Sequence, residues 1–119
     1  MVDIVLVDDD RVSTFVTEKF IRKSVNGPYR IHTFYSATEA LIKVKEIRPQ
    51  YLFLDLIMPQ MSGWDFLDRF NAEIVGSEIY ILSGSLDKTD REKANANNKV
   101  KKFLSKLSVK ESIPEIFRN

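Results

Sequence analysis

Five times along its 119 residues, this chain sets a short apolar run before a segment suited to a helix. No other feature restricts the fold as strongly. The strand-like runs are Asp3–Val7, Tyr29–Tyr35, Tyr51–Leu56, Glu78–Leu82 and Lys101–Leu104, rich in Val, Ile, Leu, Phe and Tyr. Ile4–Val7 and Tyr51–Leu54 are continuously apolar rather than alternating, as strands covered on both faces should be. Between them, Val12, Phe15, Val16 and Phe20 form one helical stripe, Ala37, Ala40, Leu41 and Val44 a second, and Gly63, Phe66, Leu67, Phe70 and Ile74 a third. The segment from Asp87 to Asn98 is polar nearly all round, with Ala94 and Ala96 its main apolar residues, and is expected to dock most weakly. Capping boxes are expected at Ser36–Glu39 and Ser108–Glu111. Pro114 is comfortable only in a first turn, so the last helix is expected to begin late.

Alternation of this kind implies an α/β fold, a parallel sheet with right-handed crossovers and helices on both faces. There is no repeat, low-complexity tract or linker, and residues 1–119 read as one domain large enough to bury a core unaided. Eighteen basic residues against seventeen acidic leave a net charge of +1, so no global field draws the chain to nucleic acid or an anionic membrane. The absence of cysteine removes disulfides, thiolate catalysis and Cys-based zinc sites. No signal peptide and no apolar stretch of ~20 residues is visible, which makes the cytoplasm the expected location.

The unusual polar residues fall at the carboxyl ends of the strands, where parallel sheets bind ligands. Asp8 and Asp9 follow the first strand, Asp55 ends the third, Ser83 closes the fourth, and Lys106 closes the fifth. They become neighbours if the second strand lies at an edge, in a doubly wound five-stranded order 2-1-3-4-5. Three carboxylates in one cleft require a cation, and hard oxygen ligands select Mg²⁺. A carboxylate beside such an ion can attack phosphorus to form an aspartyl phosphate. Lys106 would supply a point charge and Ser83 a hydroxyl donor. Asp10 reads as an N-cap of the first helix. His32 lies on the second strand, away from the cluster, and reads as a surface residue; Trp64 reads as packing.

These residues resemble the response-regulator receiver domain of two-component signalling, a flavodoxin-like (βα)₅ fold, in the manner of a chemotaxis-type single-domain regulator. The resemblance covers the whole chain. It is carried by Asp8–Asp9, by "DLIMPQMSG" from Asp55 to Gly63, close to the family's D-x-x-M-P-x-M-x-G, by Ser83 followed by Gly84, and by Lys106. It implies that Asp55 accepts a phosphoryl group from a histidine kinase or phosphotransfer protein. Asp9, Asp55 and the Ile57 carbonyl would bind Mg²⁺ directly and Asp8 mainly through water, while Ser83 and Lys106 grip the phosphoryl oxygens. It implies no enzymatic activity beyond the chain's own phosphorylation and dephosphorylation. Signalling would pass through a switch of Ser83 and the strand-five aromatic, here Phe103, to a downstream protein that binds the α4-β5-α5 face, with no direct nucleic-acid or membrane contact. Phe103 fits equally well as a core or rim residue. Ile57 and Ser85 occupy variable positions that tune phosphoryl lifetime in the family.

One departure stands out. The family's lysine is usually followed by a cis proline, and here Leu107 follows Lys106. A cis bond before Leu107 would cost ~3–4 kcal/mol, so a trans bond with a rebuilt loop is the favoured alternative. Rival functions fit less well. A haloacid-dehalogenase-type phosphatase could use Asp8 and Asp10 as its D-x-D, but leaves "MPQMSG" unexplained and has no room for a cap. A flavin carrier would not place three aspartates where a phosphate must sit. A degenerate receiver acting only as a docking module would have lost its acidic pocket. Met1 favours a complete single-domain regulator over a piece cut from a longer protein.

Overall fold

All five apolar runs become parallel strands: β1 (Val2–Val7), β2 (Tyr29–Phe34), β3 (Tyr51–Leu54), β4 (Glu78–Ser83) and β5 (Val100–Ser105), hydrogen-bonded in the order β2-β1-β3-β4-β5. The computed structural model describes residues 1–70, 76–85 and 87–118. The helices are α1 (Arg11–Ser24), α2 (Ala37–Ile47), α3 (Gly63–Arg69), α4 (Lys88–Ala96) and α5 (Val109–Ile116), the last preceded by a 3₁₀ turn at Lys106–Ser108.

Because side chains alternate across a strand, the sheet feeds two cores. Val5, Val7, Leu52, Leu54, Ile79, Ile81 and Phe103 face α2, α3 and α4, where Val44, Phe66, Leu67 and Ala94 meet them. Ile4, Leu6, Phe53, Tyr80, Leu82 and Leu104 face α1 and α5, where Ile21, Ile113 and Phe117 close the layer. The central strands are buried on both faces, which is why their sequences run apolar without alternation.

Three helices depart from expectation. In α1 the stripe of Val12, Phe15 and Val16 faces outward: Val12 is 74% exposed and Phe15 67%, while Thr14, Thr17 and Ile21 are buried. Asp10 caps the helix by accepting hydrogen bonds from the Val12 and Ser13 N–H groups, while packing of Thr14, Thr17 and Ile21 decides which face is buried. In α4 only Ala94 is buried and Ala96 is exposed. α5 begins at Val109 rather than at Pro114, which sits inside the helix. The turn at Lys106–Ser108 already directs the chain into helical geometry, so burial of Val109 and Ile113 starts the helix early in spite of the proline.

Capping is redistributed as well. Ser108 makes no side-chain cap, and Ser36 accepts from the Glu39 N–H in half of the expected box. A full capping box joins Ser62 and Asp65 at the start of α3. The α3 stripe is buried from Gly63 to Phe70, and Ile74 lies outside the described residues.

Candidate functional site

The sheet register delivers the site. Val7 pairs with Leu54 across β1 and β3, so Asp8 and Asp55 both emerge one residue beyond the paired ends. The Asp8 N–H bonds the Phe34 carbonyl and the Asp55 N–H bonds the Val7 carbonyl, so both backbones continue the ladder while their side chains turn into the cleft. Asp8 is 1% exposed and Asp55 5%, whereas Asp9 is exposed. Carboxylate oxygens of Asp8, Asp9 and Asp55 lie within 4.8 Å of one another. The cleft of about 450 Å³ is lined by Asp9, Asp55, Ile57, Ser83, Ser85 and Lys106, among others.

Lys106 is the counterweight to this charge. Its Nζ lies 2.9 Å from Asp8 Oδ2 and 3.4 Å from Asp55 Oδ2. Asp8 Oδ1 accepts the Asp10 N–H at 2.9 Å. Asp8 Oδ2 is sealed from solvent with no donor aligned for a hydrogen bond among the described residues, and the Lys106 ammonium compensates it by charge. Burial works against the lysine's own charge, but the two carboxylates outweigh it and raise its pKa. Asp55 is pushed up to about 6, first by burial and then by the Asp8 charge, with Lys106 and the Ile57 N–H pulling the other way.

This donor set fits Mg²⁺. It offers hard oxygens from three carboxylates, two of them buried, and Asp55 titrates high because it is buried and lies beside the Asp8 charge. A divalent cation would relieve that repulsion.

The loop after Asp55 is built to hold the aspartate still. Met58 and Met61 are buried in the core below it. Pro59 and Gln60 turn the chain between them, with Gln60 at φ 70° and the Met61 N–H bonded to the Pro59 carbonyl at 2.8 Å. The Gly63 N–H then bonds the Leu56 carbonyl at 2.9 Å, bringing the start of α3 against the Asp55–Leu56 backbone. A Cβ at Gly63 would collide with the Asp55 carbonyl oxygen and approach Leu56 Cα to 2.9 Å, so only glycine fits. Gly84 is under no such constraint, since a Cβ there would meet Lys106 Cδ at an ordinary 3.7 Å.

Ser83 is buried at the end of β4, and its Oγ accepts the Ser85 N–H at 3.0 Å. Ser85 Oγ in turn donates to Asp90 Oδ2 at 2.9 Å and accepts the Asp87 N–H, tying the cleft to the first turn of α4. Phe103 is buried among the core residues facing α4, with the Arg91 guanidinium 5.2 Å from its ring centroid. His32 stands on β2, partly exposed and away from the cleft, with Nε2 3.0 Å from Asp3 Oδ1. Trp64 packs against the core with Lys93 over its ring.

The rebuilt loop at Lys106–Leu107 is trans; no cis peptide occurs among the described residues. Leu107 uses the N–H that proline would lack to bond Ser105 Oγ at 3.1 Å. Sequence reasoning missed this role of Ser105, although a serine two residues before an exposed N–H is a recognisable turn signal. It also missed an apolar rim. Val12, Phe15, Tyr35, Ile57 and Leu107 are all exposed, Ile57 at 69% and Leu107 at 82%, and they come from the segments that follow β1, β2, β3 and β5. Tyr35, Ile57 and Leu107, apolar residues just after strands at the binding edge, were the available clue.

A model of the response regulator receiver domain matches residues 4–118. The chain belongs to that family. The probable C4-dicarboxylate response regulator DctR of Halalkalibacterium halodurans is 23% identical over 87 residues, 73% of this chain and 37% of that protein. An uncharacterized response regulatory protein of Vibrio cholerae is 27% identical over 83 residues, 70% of this chain and 35% of that one. The receiver thus spans little more than a third of the length of these curated relatives. Among solved structures, a two-component response regulator from Cytophaga hutchinsonii superposes with a TM-score of 0.76 at 28% identity, covering 87% of this chain and 84% of that one. The Mn²⁺-bound form of response regulator Rcp1 shares the fold with a TM-score of 0.81 at 17% identity, covering 98% and 91%.

Proposed function

We propose that this receiver accepts a phosphoryl group on Asp55 from a phosphohistidine carried by a kinase or phosphotransfer protein, and that Mg²⁺ is required. The observation that carries this reading is the meeting of three carboxylates within 4.8 Å with the Lys106 ammonium 2.9 and 3.4 Å from two of them. An Asp55 oxygen forms the new P–O bond as the P–N bond to the donor imidazole breaks, and the imidazole leaves with the electron pair and takes up a proton. Lys106 and the Ser83 hydroxyl stabilise charge on the equatorial oxygens. Mg²⁺, held by Asp9, Asp55 and the Ile57 carbonyl with Asp8 acting through water, would neutralise further charge on the transferring group. The prior engagement of both Asp8 oxygens supports the indirect role for Asp8.

The exposed apolar side chains on the segments that follow β1, β2, β3 and β5 support a protein rather than a small molecule as donor, because large apolar groups around a polar site suit a macromolecular contact. Output passes through α4, β5 and α5: when Ser83 turns toward a phosphoryl group it releases the Ser85 N–H, and Ser85 holds the first turn of α4. Phe103 reports the change on β5. We place this exchange in the cytoplasm, with a downstream protein as target and no direct contact with nucleic acid. The chain turns over no substrate beyond its own phosphorylation and dephosphorylation. Incubation with Mg²⁺ and acetyl phosphate, followed by intact mass, tests the reading. One added phosphoryl group, absent in Asp55→Asn, supports it; no gain in the wild type from either acetyl phosphate or a histidine-phosphorylated phosphotransfer protein overturns it.

A further inference from the structure

A second surface lies apart from the acidic cleft, between the C-terminal half of α1 and the outer side of α5. It is an open groove of about 550 Å³. Phe20, Pro114 and Phe117 contribute its apolar part, and Lys23, Lys110 and Arg118 its charge. All three cations are exposed, and none has a carboxylate within ion-pairing distance among the described residues. No acidic residue lines the groove, although Glu111 and Glu115 stand on the adjoining surface of α5. Lys19 and Lys23 both hold their ammonium groups about 6 Å from the Phe20 ring, so positive charge lies against the aromatic part of the groove.

In a chain whose net charge is only +1, this is a local concentration rather than a share of a general field. The groove is too open to enclose a small molecule, whose sites bury most of the ligand. Three cations are too few for useful nucleic-acid affinity at physiological salt. Apolar floor and cationic rim together match an amphipathic helix with an apolar stripe and acidic flanks. Phe20 is half-buried against the α1–α5 core and presents its remaining surface to the groove beside Pro114, so the apolar contact offered to a docked helix lies between α1 and α5, apart from Val12 and Phe15.

We infer that the α1–α5 groove docks an acidic amphipathic helical segment of a partner protein, read by Phe20 and Phe117 together with Lys23, Lys110 and Arg118. This is independent of phosphoryl transfer at Asp55. The test is an NMR titration of the full chain with a synthetic helical peptide of about 15 residues, Leu along one face and Glu on the others. A scrambled peptide of the same composition and a version with Lys in place of Glu serve as controls. The expected result is saturable shifts centred on Lys23, Ser24, Lys110 and Arg118, weakened by salt and by about tenfold in the folded double variant Lys23→Glu/Lys110→Glu. Asp55→Asn should bind as the wild type does, which separates this inference from the phosphorylation reading. It is overturned if the shifts lie elsewhere or are absent, if the scrambled or Lys peptide binds equally well, or if charge reversal changes nothing. Binding to phosphatidylserine vesicles without binding to the acidic peptide would also overturn it, in favour of a membrane surface.

Discussion

Asp55 shows what the site costs the protein. A carboxyl raised to about 6 is one that the folded state prefers to keep protonated, and its negative charge works against folding. The sign follows from linkage: between the ordinary aspartate value of 3.8 and about 6, the folded chain binds a proton that the unfolded chain releases, so this contribution falls as pH rises. In metal-free buffer, Asp55→Asn should therefore stabilise the protein by about 1–3 kcal/mol above pH 6, with the gain shrinking toward pH 4. Denaturant midpoints of both proteins across that range measure it. A gain that does not change with pH would contradict this account. Gly63→Ala should act in the opposite direction. Its Cβ has no room against the Asp55 and Leu56 backbone, so it should lower stability by about 1–3 kcal/mol and slow phosphorylation by displacing Asp55. Gly84→Ala, with ordinary contact distances, should leave stability within about 0.5 kcal/mol of wild type.

At the scale of elements, α1 is where periodicity and packing disagree. Hydrophobic spacing picks out Val12, Phe15 and Val16, yet the sheet meets Thr14, Thr17 and Ile21. Replacing Phe15 with Ser should shift stability by no more than about 0.5 kcal/mol, while Ile21→Ala should cost about 2–5 kcal/mol. The same Phe15→Ser protein should be phosphorylated more slowly by a histidine-phosphorylated partner than by acetyl phosphate, relative to wild type. α4 offers a second contrast, since Ala94 is its single buried residue. Its amides should exchange much faster than those of β1, and their protection should change on phosphorylation. Equal and unresponsive exchange would argue against α4 as the moving element. The fifth helix was harder to read because Pro114 signals a start, whereas Val109 and Ile113 had already committed the chain to helix.

Across the whole molecule, the parallel sheet gathers residues up to 98 positions apart in sequence, Asp8 to Lys106, onto one edge. The cost of crowding carboxylates there is local, and a bound cation should offset it globally. Mg²⁺ at tenfold its dissociation constant should raise stability by about 1.4 kcal/mol, visible as a concentration-dependent rise in Tm. Asp9→Asn should blunt the rise. A Tm indifferent to Mg²⁺ would count against the metal reading of the cleft.

The strands, their parallel order and the polar residues of the carboxyl edge were legible in the chain itself, because burial on both faces leaves an unbroken apolar run and charge at its end is conspicuous. The D-x-x-M-P-x-M-x-G stretch was legible as a motif, but the reason for its glycine was not. That reason is the approach of α3 to the Asp55 backbone, a contact local sequence cannot express. Leu107 was legible only as a departure; the neighbouring Ser105 hydroxyl settles how the loop accommodates it. Which face of α1 is core and which is rim was beyond sequence altogether. An apolar stripe records only that something apolar will cover it, and tertiary packing decided that for Val12, Phe15 and Val16 the cover is not this protein's own sheet.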